Sequence, residues 1–340
     1  MTYLFELNHP KHYYQFKYVM QMLQDKGHKV HVVARDKDVL LDVLRQENVP
    51  FLVFGNHYKG MIKKVLGTIP ILFHYAGIVR ELKPDVVVSK ASFYGCMLAR
   101  LFGKKSVIFP DSEVVKVTNR YVVPLATRVV TPATFGLDYG KKHCRIKGFF
   151  EDCYLAPSVF TPDEQIVAAS GMKKPYAIFR FVGWFANHDV GNKGFTLDQK
   201  LKMIRRIEQK MTVYISSEKP LPEELQQYKM PIAASKIHHA LAFASLYVGD
   251  SQTMATEAAL LGTPALRSNS FVGEHDMTNF RVLEEKYHLL RNVAKYTDVL
   301  KVLDELSLPG TKKQWKQLQE QYFHQVGDSN SAIVELLSFN

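Results

Sequence analysis

The chain alternates short apolar runs with longer stretches in which apolar residues recur at helical spacing. The apolar runs predict strands at residues 3–7, 29–33, 50–54, 84–88, 105–109 and 128–131, and again at residues 175–180, 211–215, 245–249 and 263–266. The stretches between them predict helices, for example at residues 14–25, 197–210 and 254–261. Strands that alternate with helices are typical of parallel sheets covered by helices on both faces.

The two series of strands indicate two domains. We predict an α/β protein with two Rossmann-like parallel-sheet domains that face a cleft, at residues 1–155 and 156–325. Residues 326–340 are predicted to form a C-terminal helix that packs back toward the N-terminal domain. Because ligands of open α/β sheets bind outside the carboxyl ends of the strands, we expect site residues directly after each strand.

The segment after the predicted strand at residues 245–249 reads Gly249-Asp-Ser-Gln-Thr-Met-Ala-Thr-Glu257. Its candidate nucleotide-sugar contacts are Ser251, Gln252, Thr253, Met254 and Glu257. Backbone N–H groups and hydroxyls at the start of a helix favour phosphate oxygens. Glu257, one turn further on, is suited to accept hydrogen bonds from a ribose diol. The alternative is an ordinary helix capped by Ser251 or Thr253.

The segment after the predicted strand at residues 175–180 combines a cation, an indole, an imidazole and a carboxylate with several glycines. Its candidate residues are Arg180, Trp184, His188 and Asp189. A buried loop of this composition needs many polar partners, so a loop that faces a ligand is favoured. Arg180 is suited to pair with phosphate, and His188, oriented by Asp189, is a candidate catalytic residue. The alternative is that Trp184 lies in the core and that His188 and Asp189 cap a helix.

Two segments in the first half of the chain carry further candidate catalytic residues. The first is Asn8-His-Pro-Lys-His12, in which the imidazole of His9 or of His12 is suited to take a hydroxyl proton at about pH 7. The second contains Asp111 and Glu113, whose carboxylates are suited to activate an acceptor hydroxyl. The alternatives are surface histidines beside a loop proline and a solvated acidic turn.

These segments resemble known families. The segment from Gly249 to Pro264 is similar to the nucleotide-sugar motif of GT-B glycosyltransferases and UDP-N-acetylglucosamine 2-epimerases, which have a helix with an internal Glu followed by Leu-Gly-x-Pro. Across its length the chain resembles domain-of-unknown-function family 354, which is described as glycosyltransferase-like. That resemblance rests on Asn8-His-Pro10, Gly27-His28, Pro84-Asp85, Asp111-Ser-Glu113, Lys147-Gly148, Arg180-Phe181, Trp184, His188-Asp-Val-Gly191 and Gly249 to Pro264.

The resemblance implies a two-domain GT-B fold that binds a UDP-sugar mainly through its C-terminal domain. It also implies that the loop from Arg180 borders the diphosphate and that His238 lies ahead of a helix, where such proteins contact the base. The loop after the first strand departs from the glycine-rich GT-B form and from the Gly-Thr-Arg-Pro-Glu form of the epimerases. The sequence contains no DxD-like pair after a strand, so we predict neither a metal nor another cofactor.

The positive charge is concentrated in the first half of the chain. The net charge is +11, and residues 1–155 hold 23 basic and 13 acidic residues. Lys59, Lys63 and Lys64 precede an apolar run at residues 65–79. Cations beside apolar residues predict an anionic or lipid-linked acceptor and peripheral membrane contact, whereas a buried helix with solvated lysines is the alternative. The aromatic residues form no RNA-binding pattern, so nucleic acid is not predicted as a partner.

The composition places the protein in a folded class. A content of 46% hydrophobic and 23% charged residues excludes a disordered or fibrous chain. The three cysteines are odd in number and have neither CxxC nor zinc-knuckle spacing, which predicts a reduced cytoplasmic protein. The first residues lack a signal-peptide pattern. A peripheral position on the inner face of the cytoplasmic membrane is the alternative location.

We therefore predict a glycosyltransferase that uses a nucleotide-sugar donor, UDP-sugar by preference, in surface polysaccharide or glycolipid assembly. The first alternative is a UDP-sugar 2-epimerase, in which Asp111, Glu113 and His188 would do the acid-base work. The second is a non-catalytic nucleotide-sugar-binding protein.

Overall fold

The computed structural model describes residues 1–36, 40–56, 61–182, 195–217, 220–273 and 276–339. Within these ranges the chain forms two compact units. Unit 1 comprises Met1–Tyr154 and Asp328–Asn340, and unit 2 comprises Leu155–Gly327.

Unit 1 is built on a seven-stranded sheet whose described strand pairs are all parallel. The strands are β1 (Thr2–Leu7), β2 (Lys29–Asp36), β3 (Leu52–Asn56), β4 (Val86–Ser89), β5 (Lys105–Ile108), β6 (Arg128–Pro132) and β7 (His143–Ile146). The helices are α1 (Pro10–Asp25), α2 (Leu40–Gln46), α3 (Met61–Leu82), α4 (Phe93–Leu101) and α5 (Asp152–Leu155). The strand order is β3-β2-β1-β4-β5-β6-β7, so the direction of winding reverses between β1 and β4.

Unit 2 is built on a five-stranded sheet, again with parallel pairs only among the described strands. Its strands are β8 (Tyr176–Phe181), β9 (Thr212–Ser217), β10 (Leu246–Gly249), β11 (Ala265–Arg267) and β12 (Arg291–Asn292). Its helices are α6 (Glu164–Ala169), α7 (Leu197–Glu208), α8 (Ile237–Phe243), α9 (Gln252–Leu260), α10 (Thr278–Glu285), α11 (Tyr296–Leu306) and α12 (Thr311–Val326). The order β12-β11-β10-β8-β9 reverses between β8 and β10.

Alternate residues of β1 are buried in two different cores, as the pleat of a strand requires. Phe5 and Leu7 pack in one core with Phe16 of α1, and Leu4 packs in the other with Tyr75 of α3. The chain returns to unit 1 in a last helix, α13 (Ser329–Leu337), whose apolar residues complete the first core. The α13 residue Asn330 donates a hydrogen bond to the Cys153 carbonyl at 3.0 Å, which ties the chain end to unit 1.

The apolar run at residues 65–79 lies within α3, and Ile71, Tyr75 and Ile78 of this helix are buried against the sheet. Ile69 and Phe73 of the same helix are 59% and 73% exposed. None of the helices in the described part of the chain combines the length and apolarity needed to cross a membrane.

Gly95 in the first turn of α4 lies against the buried Glu6 of β1. A methyl group at Gly95 would come within 2.7 Å of a Glu6 carboxyl oxygen and 3.3 Å of a Val87 methyl group. We expect Gly95→Ala to lower the free energy of unfolding by about 1–3 kcal/mol, the usual cost of overpacking a core. Gly77→Ala in α3 is the control, because no atom lies within 4 Å of its added methyl group. Urea unfolding checks this, and an equal effect of the two substitutions would contradict it.

Lys312 of α12 is half-buried and lies near other cations. Burial, with Lys316 and Lys174 nearby, lowers the pKa of Lys312 to about 7. Its Nζ donates to the Ala242 carbonyl of α8 at 2.8 Å. Because the unfolded chain binds this proton more tightly than the folded chain, we expect stability to rise with pH above about 7.

We expect Lys312→Met to flatten that rise, because the substituted side chain has no proton to release. Thermal unfolding at about pH 7 and about pH 9 measures the slope, with the exposed Lys313→Met as the control. A slope that is the same in Lys312→Met and in the unsubstituted protein would contradict the assignment.

Candidate functional site

The first group of candidate residues lies at the carboxyl edge of the unit 2 sheet, where β8 and β10 are neighbours. In open α/β sheets such a reversal point opens a crevice for ligands. The buried Asp250 accepts a hydrogen bond from the Val182 N–H at 2.8 Å, which joins the ends of the two strands. A side chain at Gly249 would lie 2.7 Å from the Arg180 carbonyl oxygen, so this close approach requires glycine.

Helix α9 begins directly at this edge. Ser251 is its N-cap residue, and its hydroxyl accepts a hydrogen bond from the Met254 N–H at 3.4 Å. The amides of Gln252 and Thr253 belong to the first turn, where backbone N–H groups have no acceptor within the helix. The start of α9 is therefore both a capped helix and a place where amides and the helix dipole favour an anion.

A cavity of about 590 Å³ lies beside these residues within unit 2. Arg180, Ser216, Lys229, Ile237 and Met254 are among the residues that line it. Arg180 Nη1 donates to the Ser216 hydroxyl at 2.8 Å, which holds the guanidinium at the wall of the cavity. The sequence predicted Arg180 and Met254, whereas Ser216 was missed because a serine at the end of an edge strand carries no distinctive pattern.

His238 and Glu257 are brought together by the packing of α8 on α9. His238 Nε2 lies 3.2 Å from Glu257 Oε1, and the two side chains are only 16% and 10% exposed. His238 lies in the first turn of α8, which begins at Ile237. The predicted residues Trp184, His188 and Asp189 lie outside the described residues.

The second group of candidate residues lies at the carboxyl edge of the unit 1 sheet. Lys90, which follows β4, has its Nζ 3.2 Å from Asp111 Oδ2 and donates to Gln15 Oε1 at 2.8 Å. Lys11 Nζ lies 4.0 Å from Asp111 and 2.9 Å from Glu151. Desolvation alone would raise the pKa of the Asp111 carboxyl, but the Lys90 and Lys11 ammonium groups outweigh it and hold that pKa well below its ordinary value.

Both predicted histidines of this group have one ring nitrogen committed to the backbone. His9 Nδ1 accepts the Lys11 N–H at 3.1 Å, and His12 Nδ1 accepts the Asn8 N–H at 3.2 Å. Because a backbone N–H is always a donor, each neutral ring carries its proton on Nε2. Burial and the Lys90 ammonium hold the pKa of His12 well below its ordinary value, so His12 is neutral. In this state His9 and His12 present N–H donors.

The printed sequence brings Glu113 close to Asp111, but Glu113 bonds to a different segment from the one that holds the Lys90–Asp111 ion pair. Its Oε1 accepts the Gly136 N–H at 2.6 Å, and its carbonyl accepts a hydrogen bond from Asn119 at 3.2 Å. Lys90, Gln15 and Glu151 were missed from the sequence, because their contacts join segments that are far apart in the chain. Within the described ranges, no cluster of His, Cys, Asp or Glu side chains is arranged to hold a metal ion.

The comparison with protein families finds a match in the part of the chain that forms unit 1. Residues 3–153 match the DUF354 family model. This family is described as "Protein of unknown function (DUF354)", and the match confirms the resemblance found in the sequence over this part of the chain.

A curated relative is the UDP-N-acetylglucosamine--N-acetylmuramyl-(pentapeptide) pyrophosphoryl-undecaprenol N-acetylglucosamine transferase of Stutzerimonas stutzeri. The two chains are 31% identical over 123 residues, which are 33% of this chain and 35% of the transferase. The similarity thus spans about a third of the relative's length.

Solved structures match over nearly the whole chain. The UDP-GlcNAc 2-epimerase of Neisseria meningitidis bound to UDP-GlcNAc has a TM-score of 0.69 at 13% identity, covering 99% of both chains. The spinosyn rhamnosyltransferase SpnG, complexed with thymidine diphosphate, has a TM-score of 0.64 at 11% identity, covering 99% of this chain and all of SpnG. These likenesses confirm the predicted fold class, which glycosyltransferases and UDP-sugar epimerases share.

Proposed function

We propose that this protein is a glycosyltransferase that uses a nucleotide diphosphate sugar, with UDP as the nucleotide. The observation that carries the proposal is the cavity in unit 2, whose wall includes both Arg180 and Met254 in the first turn of α9. A guanidinium and a helix start are the two features that bind a diphosphate without a metal ion. The cavity of about 590 Å³ has room for the nucleoside.

In this proposal unit 2 binds the donor and stabilises the leaving diphosphate. Arg180 pairs with phosphate oxygens, and the amides of Gln252 and Thr253 donate to the same group. Ser251 holds the helix start in place through its bond to the Met254 N–H. Glu257 accepts hydrogen bonds from the ribose hydroxyls. Stabilising the charge that develops on the leaving group accelerates transfer without a protein nucleophile.

Unit 1 is proposed to bind the acceptor, with Asp111 as the proton acceptor for its hydroxyl. The Asp111 carboxylate is ionised at neutral pH, and 47% of its side chain remains exposed to a substrate. His9 and His12, which present N–H groups, are suited to donate hydrogen bonds to acceptor or sugar oxygens instead of taking a proton. This role differs from the base predicted from the sequence.

The acceptor is proposed to be anionic or lipid-linked, with peripheral contact between unit 1 and a membrane. Val114, Val117 and Tyr121 are 59%, 65% and 53% exposed, and Lys116 and Arg120 lie among them in the chain. Exposed apolar residues interleaved with cations suit an anionic lipid surface. Several cations of unit 1 are instead bonded to backbone carbonyls, namely Arg128, Lys142 and Arg145. Lys59 lies outside the described residues.

We expect Val117→Asp to weaken sedimentation with anionic vesicles by about tenfold, because an aspartate there is repelled by the lipid charge and loses apolar contact. The matched control is Leu308→Asp in unit 2, a residue that is 60% exposed. Equal loss in both variants, or no binding of the unsubstituted protein to phosphatidylglycerol vesicles, would contradict the membrane contact.

The test of the proposed function is release of UDP from UDP-sugars. The protein is incubated with a panel of labelled UDP-sugars and a membrane extract that contains acceptors, and both UDP and labelled product are measured. The proposed function predicts that the label is transferred to an acceptor. The absence of transfer and of UDP release with every donor would overturn it.

A 2-epimerase is the second candidate, because structures of this fold with a TM-score of 0.69 include UDP-GlcNAc 2-epimerases. Asp111 and Glu113 would then supply acid-base groups for exchange at sugar C2. Deuterium from solvent at C2, without any acceptor present, distinguishes this reaction from transfer. UDP binding without either reaction would indicate a binding protein.

A further inference from the structure

We propose that Lys312 of α12 is a modification site, a nucleophilic amine that acyl phosphates acylate with the help of the cations Lys174 and Lys316. This site is independent of the proposed function. It lies at the carboxyl end of α8, whereas the proposed donor cavity lies at the other end of that helix, at Ile237.

The hydrogen bonds at Lys312 suit a neutral amine. Nζ donates to the Ala242 carbonyl at 2.8 Å and to the Thr263 hydroxyl at 2.5 Å. That hydroxyl gives its own hydrogen to the Leu241 carbonyl at 2.6 Å, so it accepts the bond from Lys312. Both acceptors are uncharged, and no carboxylate of the described residues is paired with Nζ. A neutral amine uses its two N–H bonds on these acceptors and keeps its lone pair for a reaction.

Lys174 is one of the two cations beside this amine. Its Nζ lies 4.2 Å from the centre of the Phe243 ring, and Phe243 directly follows Ala242 in α8. The Glu164 carboxylate pairs with the same ammonium group at 2.6 Å. Lys174 therefore adds a positive charge that Glu164 partly neutralises.

Lys316 is the second cation, and among the described residues no carboxylate is paired with it. It follows Lys312 by four residues on α12, so the two side chains share one face of the helix. Its Nζ donates to the uncharged amide oxygen of Gln319 at 2.9 Å. Its backbone packs on Gly262, which precedes Thr263, because a methyl group at Gly262 would lie 3.2 Å from the Lys316 Cα. Lys316 thus brings an uncompensated charge to the amine.

This environment defines the reagent. A lysine amine becomes nucleophilic where it is desolvated or next to other cations, because both favour its neutral form. Burial, with the two neighbouring lysines, lowers the pKa of Lys312 to about 7. The same cations attract an anion. An acyl phosphate is an anion that also carries an electrophilic carbonyl group.

The reaction transfers the acyl group to nitrogen. The lone pair of Nζ forms a C–N bond to the carbonyl carbon, and the C–O bond to phosphate breaks. Phosphate leaves with that electron pair, and the nitrogen releases one proton to water. The product is an uncharged amide with a single N–H, so it keeps one of the two hydrogen bonds and no longer titrates.

The test treats the full chain with acetyl phosphate at about pH 7.5 and follows the acetylation of each lysine by tandem mass spectrometry. Lys313, the exposed next residue, is the matched control. At this pH about three quarters of the Lys312 amines are neutral, against about 0.1% of an ordinary lysine. Because nucleophilicity falls with basicity, we expect Lys312 to react only about tenfold faster than Lys313. Equal rates at the two residues would overturn the site.

Two substitutions test the neighbouring cations. We expect Lys316→Gln and Lys174→Gln each to slow the acetylation of Lys312 by about threefold and to leave Lys313 unchanged. Lys301→Gln, at an exposed residue of α11, is the control and is expected to have no effect. Should one of the two variants fail to fold, the other still decides the question. An unchanged rate in the folded variants would overturn the role of the cations.

An uncharged reagent separates the attraction of the anion from the reactivity of the amine. We expect p-nitrophenyl acetate to acetylate Lys312 in preference to Lys313 by a smaller factor than acetyl phosphate does, because the cations do not attract it. An equal or larger preference with the uncharged reagent would contradict the assignment of acyl phosphates as the reagent class.

Discussion

Replacing Arg180 by methionine is expected to weaken UDP binding about 100-fold, which corresponds to the upper end of the free energy of a hydrogen bond to a charged group. The guanidinium is held at the cavity wall by the Ser216 hydroxyl, so it is oriented before the ligand arrives. Methionine keeps the length and apolar contacts of the side chain but cannot pair with phosphate. Isothermal calorimetry with UDP measures the change directly.

The control for this substitution is Arg206→Met. Arg206 lies on α7 and pairs with Asp304 of α11, so the same chemical change is made in the same unit at a pair that does not line the cavity. We expect its UDP affinity to equal that of the unsubstituted protein. A similar loss in both variants would mean that the effect is general, and unchanged binding in Arg180→Met would remove Arg180 from the donor site.

Asp111→Asn is expected to lower the rate of sugar transfer by about 10²- to 10⁴-fold, the usual contribution of a general base, and to leave UDP affinity unchanged. Asparagine has nearly the same shape as aspartate, but its amide cannot take a proton from an acceptor hydroxyl. Because Asp111 lies in unit 1 and the proposed nucleotide cavity in unit 2, we expect the substitution to change the rate of transfer without changing the affinity for UDP. Initial rates of UDP release in the presence of acceptor check the first, and calorimetry checks the second.

Asp42→Asn provides the comparison for this variant. Asp42 is an exposed residue of α2 in the same unit, paired with Arg45 at 2.9 Å. We expect it to retain the full rate. Should Asp111→Asn also retain it, the proton acceptor must be sought elsewhere, and the acceptor role of this edge of unit 1 would lose its main support.

The sequence predicted the fold class well because parallel strands buried on both faces are short apolar runs. Two strands, β7 and β12, were not predicted by that rule. β7 begins with the polar sequence His143-Cys-Arg145, and β12 is only two residues long, so neither forms an apolar run. Helix α1 begins earlier than its apolar period suggests, at Pro10, because proline fits the first helical turn and His9 caps it.

The candidate site was predictable only where it follows a strand in sequence. Arg180, Ser251 and Asp111 stand at strand ends, and that rule of position finds them. The sequence cannot show which polar side chains meet in space. The Lys90 contact with Asp111 spans 21 residues of chain and the His238 contact with Glu257 spans 19, and neither has a local spacing that would reveal it. Which ring nitrogen of His9 and of His12 carries the proton likewise depends on a backbone contact that the sequence does not show.

The measurement that tests the central claim most directly is a crystal structure of the protein with UDP. The proposal predicts the diphosphate at the start of α9, with an oxygen within hydrogen-bond distance of the Thr253 amide and another paired with Arg180. Glu257 would meet the ribose. A diphosphate bound elsewhere, or a cavity in unit 2 that stays empty at saturating UDP, would contradict the assignment of unit 2 as the donor-binding unit.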